Sequence, residues 1–172
     1  MSETGSSDSN AQRDQVLNLQ QEVSAQTGAC STSQRRKPRV QTKWPNNIIK
    51  VAGFDSDGFP TNDDGMKCWQ LICGLIACQR IGINVHFENL DEPAWQGLFD
   101  IMKQYLQFLE GTSEAELNRV RGVACKSIAK LQRSFKCNLV RNYVNEGKEP
   151  FELHKHLDRQ DWEMFVETAT SE

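Results

Sequence analysis

Cys125, Cys137, His154 and His156 are the side chains in this sequence whose types could gather around a zinc ion. Their spacing argues against it. Cys137 follows Cys125 by twelve positions, and the His-x-His pair lacks the i, i+3 or i+4 interval that sets two imidazoles on one helical face. Cys68, Cys73 and Cys78 recur every five residues, which spreads them around a helix rather than converging them. Cys30 brings the total to six cysteines with no CxxC pair, and most of them read as reduced thiols serving as small apolar side chains. Asp55, Asp57, Asp63 and Asp64 invite a calcium reading. Counting from Asp55, however, puts Gly58 at loop position four and Met66 where a bidentate glutamate belongs. The sequence contains no recognisable nucleophile and base, phosphate loop or dinucleotide glycine motif, so no catalytic residue, metal or cofactor is expected.

Positive charge is the chemistry that remains. Residues 117 to 141 carry seven basic side chains and no acid, in a 172-residue chain whose net charge is −3. On a wheel of about 100° per residue, Leu117, Val120, Ala124, Ile128, Leu131, Phe135 and Leu139 fall within roughly 100° of arc. Arg119, Lys126, Lys130, Arg133 and Arg141 fall within about 80° on the opposite side. Like charges at i, i+4 cost roughly 0.2–0.5 kcal/mol per pair, and solvated helices normally relieve this by mixing in glutamate. A cationic ridge about 30 Å long with no acid suits a phosphate backbone, because each neutralised phosphate releases counterions. Nucleic acid is therefore the leading partner class. Two alternatives stay open: an internal clasp against residues 145–172, which hold eight acids and three bases, and an acidic protein partner or neighbouring copy.

A second basic run, QRRKPRVQTK at residues 34–43, includes Arg35, Arg36 and Lys37. It fits a nuclear-import signal or a nucleic-acid-binding arm, and a solvated linker is its plain alternative. Residues 1–43 are otherwise rich in Ser, Gln, Asn and Thr, and are expected to be a disordered polar tail.

The elements that position the ridge follow from periodicity. Residues 53–65 are dense in Gly, Pro, Asp and Asn and read as a loop. Trp69, Ile72, Leu75 and Ile76 predict a buried helix over 66–79, and the alternation of Ile81, Ile83, Val85 and Phe87 predicts a short extended segment. Asp91 and Pro93 open a helix whose apolar face runs from Trp95 through Leu98, Phe99, Met102, Tyr105 and Leu106 to Leu109, with Gly111 as its stop. Ser113 and Glu116 form a capping box for the basic helix, and Asp158 caps a last helix carrying Trp162, Phe165, Val166 and Ala169. The expected fold is an all-α domain of three to four helices over 44–172, with one long basic amphipathic helix. No apolar run approaches the roughly 18 residues of a membrane span, so no membrane partner is expected.

Taken in order, GFPTNDDGMKCWQLICGLIACQRIGI, EPAWQGLFDIMKQY, SIAKLQRSFKCNLVRNYV and DRQDWEMFVETATSE carry short motifs at Gly58, Pro60, Arg133, Phe135, Lys136, Leu139, Tyr143, Trp162, Phe165, Val166, Ser171 and Glu172. In these, residues from about 53 to 172 resemble the helical region of plant transposon-encoded proteins of the En/Spm (CACTA) and Ptta type. Gln132 stands where that family usually has tryptophan beside the arginine. The resemblance implies a transposon-related, nuclear, DNA-associated protein and no catalytic activity for this region.

Overall fold

The structure, a computed structural model, describes residues 42–171. The polar tail read from the sequence lies outside the described residues except for Thr42 and Lys43, and so do Arg35, Arg36 and Lys37. Over the described span the fold is all-α, with four α-helices and one pair of two-residue strands.

The Gly/Asp-rich stretch forms the expected turns. One Asp55 carboxylate oxygen accepts from the backbone N–H groups of Asp57 and Phe59, each at 2.9 Å, and Gly58 takes φ +87°, a conformation that a Cβ disfavours. Asn62 closes the loop. Its side chain accepts from the Ala52 N–H and donates to the Lys50 carbonyl, both at 3.0 Å, which ties the preceding strand to the start of helix α1, Asp63–Gln79. Asp63 and Asp64 in the first turn complement the helix dipole, and Trp69, Ile72 and Ile76 are buried along its inner face.

Helix α2, Glu92–Lys103, is capped as expected, with Asp91 accepting from the Ala94 N–H at 3.0 Å. It ends earlier than periodicity predicts. Leu106–Gln107 leaves the helix as strand β2 and pairs in parallel with β1, Ile49–Lys50, through hydrogen bonds from the Ile49 N–H to Tyr105 and from the Val51 N–H to Gln107. Leu106 reaches the core from this strand, whereas Leu109 is exposed. Gly111, at φ +84°, turns the following connection rather than ending the helix.

Residues 81–90 form turns and a single 3-10 turn, Phe87–Asn89, in place of the extended segment. The local reason is that the carbonyls of Gly82 and Val85, which a strand would offer to a neighbour, accept from the side chains of Gln132 and Lys136. The alternation itself has a different use. Ile81 enters one apolar cluster and Ile83 a second.

The predicted basic helix is α3, Glu114–Leu139. The Ser113 hydroxyl accepts from the Glu116 N–H at 3.2 Å, but the Glu116 carboxylate turns to Arg119, so only one half of the capping box is made. A π-helical turn, Val140–Val144, follows directly, with an i to i+5 hydrogen bond from the Asn145 N–H to the Val140 carbonyl. Helix α4, Arg159–Ser171, starts at Asp158, which accepts from the Gln160 N–H at 2.8 Å.

Helix α3 is the wall that two apolar clusters share. Val120, Ala124 and Ile128 pack with Trp69, Ile72, Ile76, Phe99 and Met102, while Phe135 and Leu139 pack with Ile83, Trp162 and Phe165. The Val, Leu, Ile, Phe and Met side chains among them contribute roughly 1.5–3 kcal/mol each when fully buried. The loop before α1 also docks on α3, where a Cβ built on Gly58 would stand 3.0 Å from a methyl of Val123. Gly58→Ala therefore meets both strained backbone and a tight contact, and is expected to destabilise the chain by about 1–3 kcal/mol. Thermal unfolding checks this, with wild-type stability in the variant counting against the docked loop.

Candidate nucleic-acid interface

The opposite face of α3 is shaped by which cations already have partners. Arg121 points toward α2, where its guanidinium lies 2.7 Å from the Glu92 carboxylate and donates to Gln96 at 2.7 Å, so it fastens two helices together. Lys136 is half-buried and donates to the Val85 carbonyl at 2.7 Å, and burial holds its pKa below the ordinary lysine value. Both are internal ties.

Arg119, Lys126, Lys130, Arg133 and Arg141 are all exposed, as the wheel predicts. Arg119 keeps nearly half of its side-chain surface, yet its guanidinium already donates to the Ser56 carbonyl at 3.3 Å and meets Glu116 at 3.5 Å. Among the described residues, Lys126, Lys130, Arg133 and Arg141 make no ion pair and no side-chain hydrogen bond. The free part of the ridge thus runs from Lys126 to Arg141, about 22 Å along the axis at helical rise.

Arg141 differs in setting, because it lies in the π-helical turn rather than in α3 itself. That turn is wider than an α-turn, so Arg141 departs from the regular wheel. It borders a groove of about 650 Å³ between the end of α3, the 83–86 loop and α4.

The acidic C-terminal segment forms its own pairs. Glu146 meets Lys148 at 3.3 Å, Glu149 meets Arg159 at 3.0 Å, and among the described residues no carboxylate beyond residue 144 pairs with the ridge. An internal clasp is not the arrangement of the described chain.

One residue that matters for this surface gave no charge or hydrophobic signal. Gln132 is 3% exposed and donates to the Gly82 and Val85 carbonyls at 3.4 Å each, and with Lys136 it holds the 82–85 loop on α3. A glutamine on the border of an apolar arc is the only trace of this in the chain. Leu131, assigned to the core by its wheel angle, is instead 37% exposed, because among the described residues no element covers that flank of the helix.

The cysteine and histidine sets stay apart. Cys125 lies beside Arg121 and Glu92, and Cys137 is exposed. His154 and His156 face Phe135. Among the described residues no three Cys, His, Asp or Glu side chains are grouped to hold a metal ion. The thiols of Cys73 and Cys78 are pushed up to about 12 and about 11, chiefly by burial, so both remain protonated and apolar at neutral pH.

The chain matches no family profile, no curated protein and no solved structure.

The histidine pair packed against Phe135 sets a pH dependence. Burial lowers the pKa of His154, helped by the neighbouring His156, and burial lowers that of His156. Neither ring nitrogen of His156 makes a hydrogen bond, although the nearby Cys78 backbone partly offsets the effect of burial. Below the ordinary histidine value of 6.5 the unfolded chain binds protons that the folded chain resists, so stability rises with pH across that window and is lost on acidification. The unfolding midpoint is expected to be flat above about pH 7 and to fall by several degrees toward pH 5. His156→Phe should remove part of that fall, and an equal fall in the variant would count against the pair as its source.

Proposed function

We propose that this is a non-catalytic, transposon-related nuclear protein that binds DNA through its phosphates, using Lys126, Lys130, Arg133 and Arg141. The observation that carries the reading is a row of three exposed cations along one side of α3, continued by exposed Arg141 in the π-helical turn, with no carboxylate partner among the described residues. Arg119 adds less, because it is already engaged by Glu116 and Ser56. Arg35, Arg36 and Lys37 would extend the basic surface or direct nuclear import. The transposon assignment draws on the motif resemblance at Gly58, Pro60 and residues 133–172.

Phosphate contacts of this kind give affinity and register but no base sequence, since sequence is read at base edges. The binding is therefore expected to be salt-dependent and tolerant of sequence. Four neutralised phosphates give a slope of about −3.6 for log affinity against log salt on duplex DNA. A Lys130→Ala/Arg133→Ala double variant should shallow that slope by about 2 and weaken binding at low salt, with its unfolding midpoint unchanged. An affinity that responds to neither salt nor the double substitution would rule the reading out.

A second reading is assembly between copies, drawn from the fact that Glu152, Glu163 and Glu167 also make no ion pair among the described residues. Sedimentation at low and high salt separates the two, because a strict monomer at low salt excludes pairing of ridge and acidic segment between copies.

A further inference from the structure

The groove at the C-terminal end of the ridge has a chemistry that phosphate binding does not use. Its floor and walls are Ile83, Val140, Met164, Phe165 and Ala169, and Met164 is left 45% exposed in a chain that buries most of its large apolar side chains. Its polar rim includes Asn84, His86, Lys136, Arg141 and Asn145, and among the described residues no carboxylate lines it. A volume of about 650 Å³ lies within the range of sites that take a ligand, and is roomy enough for large apolar side chains. A flexible thioether at the opening is suited to repacking around such side chains.

The π-helical turn makes this shape. Val140, Arg141 and Asn145 enter the lining from the wider turn, where the Asn145 N–H reaches back five residues to Val140. The same turn sets Arg141 on the lining, so the last free cation of the ridge borders an apolar cleft.

We propose that this groove docks an acidic amphipathic helix of a partner protein, with its leucine-like side chains against Met164, Phe165 and Val140 and its carboxylates toward Arg141. Charge complementarity selects this occupant. A nucleic-acid strand has phosphates for Arg141 but no aliphatic side chains for the cleft, whereas an acidic amphipathic helix supplies both at i, i+3, i+4 and i+7 spacing. The opening also repels a basic helix of the same apolar pattern, which gives discrimination by charge.

The test uses the full chain and a fluorescein-labelled helical peptide of about five turns, with Leu along one face and Glu on the other, beside a matched peptide carrying Lys in place of Glu. Fluorescence polarisation is expected to show saturable binding of the Glu peptide, with the Lys peptide at least about tenfold weaker. Met164→Gln keeps size and removes apolar contact, and should weaken the Glu peptide about fivefold while duplex-DNA affinity and the unfolding midpoint stay unchanged. Thr168→Glu, on an exposed position of the same wall, should weaken it by repulsion and provides a second variant. The Lys130→Ala/Arg133→Ala variant is expected to keep most of the peptide affinity, which separates this site from DNA binding. No binding up to about 1 mM, equal binding of the two peptides, or binding unchanged in both groove variants would overturn the proposal. Peptide binding lost in step with DNA binding in the ridge variant would assign it to the ridge, and a dimer dispersed by Met164→Gln would assign the groove to a second copy. Either result overturns it.

Discussion

One apolar seam along α3 is the constraint on which the rest of the structure depends. Val120, Ala124 and Ile128 at one end and Phe135 and Leu139 at the other belong to separate clusters, and α3 gives fully buried side chains to both. A helix of 26 residues that must bury one stripe at two places cannot rotate about its axis without exposing both. The opposite side is therefore held outward by packing. The positions of Lys126, Lys130 and Arg133 follow from the burial of residues they never touch.

The seven basic side chains of α3 and its π-helical turn then divide by angle. Arg121 and Lys136 flank the buried stripe and are used as ties, to Glu92 and Gln96 on α2 and to the Val85 carbonyl. Those at the far side of the wheel carry like charge at i, i+3 and i+4, an arrangement that costs a few tenths of a kcal/mol per pair and gives nothing back to the fold. Such a cost is small against several buried aliphatic and aromatic side chains, each worth roughly 1.5–3 kcal/mol, so the seam tolerates it. An outward surface that does not stabilise its own chain is available to a ligand, and its charge selects an anionic one.

The resembling motifs need separating by the same physics. Phe135, Leu139, Tyr143, Trp162, Phe165 and Val166 all belong to one apolar cluster, so those positions speak about packing of α3 against α4. Arg133 is the exposed cation of the set. Gln132, where the family usually has tryptophan, is nearly fully buried and bonds two loop carbonyls, so the local solution there is a polar tie in place of an aromatic contact. Those core positions speak about packing alone, and the ligand has to be argued from the exposed cations.

Read alone, the sequence determined the helices with strong caps and long periodic faces, the turn at 53–65, and the outward direction of the five cations, because these depend on intervals of three to five residues. Tertiary structure decided what depends on distant partners. Helix α2 stops at Lys103 because Leu106–Gln107 has Ile49–Lys50 to pair with, more than fifty residues earlier in the chain. Residues 81–90 are turns because Gln132 and Lys136 take their carbonyls, and Leu131 is surface because among the described residues no element covers it. The groove exists because α4 and the 83–86 loop close on a π-helical turn, a coincidence of three segments that no local period encodes. Local spacing sets the direction of a side chain, but whether that direction meets core, carboxylate or solvent is fixed by the segment that packs against it.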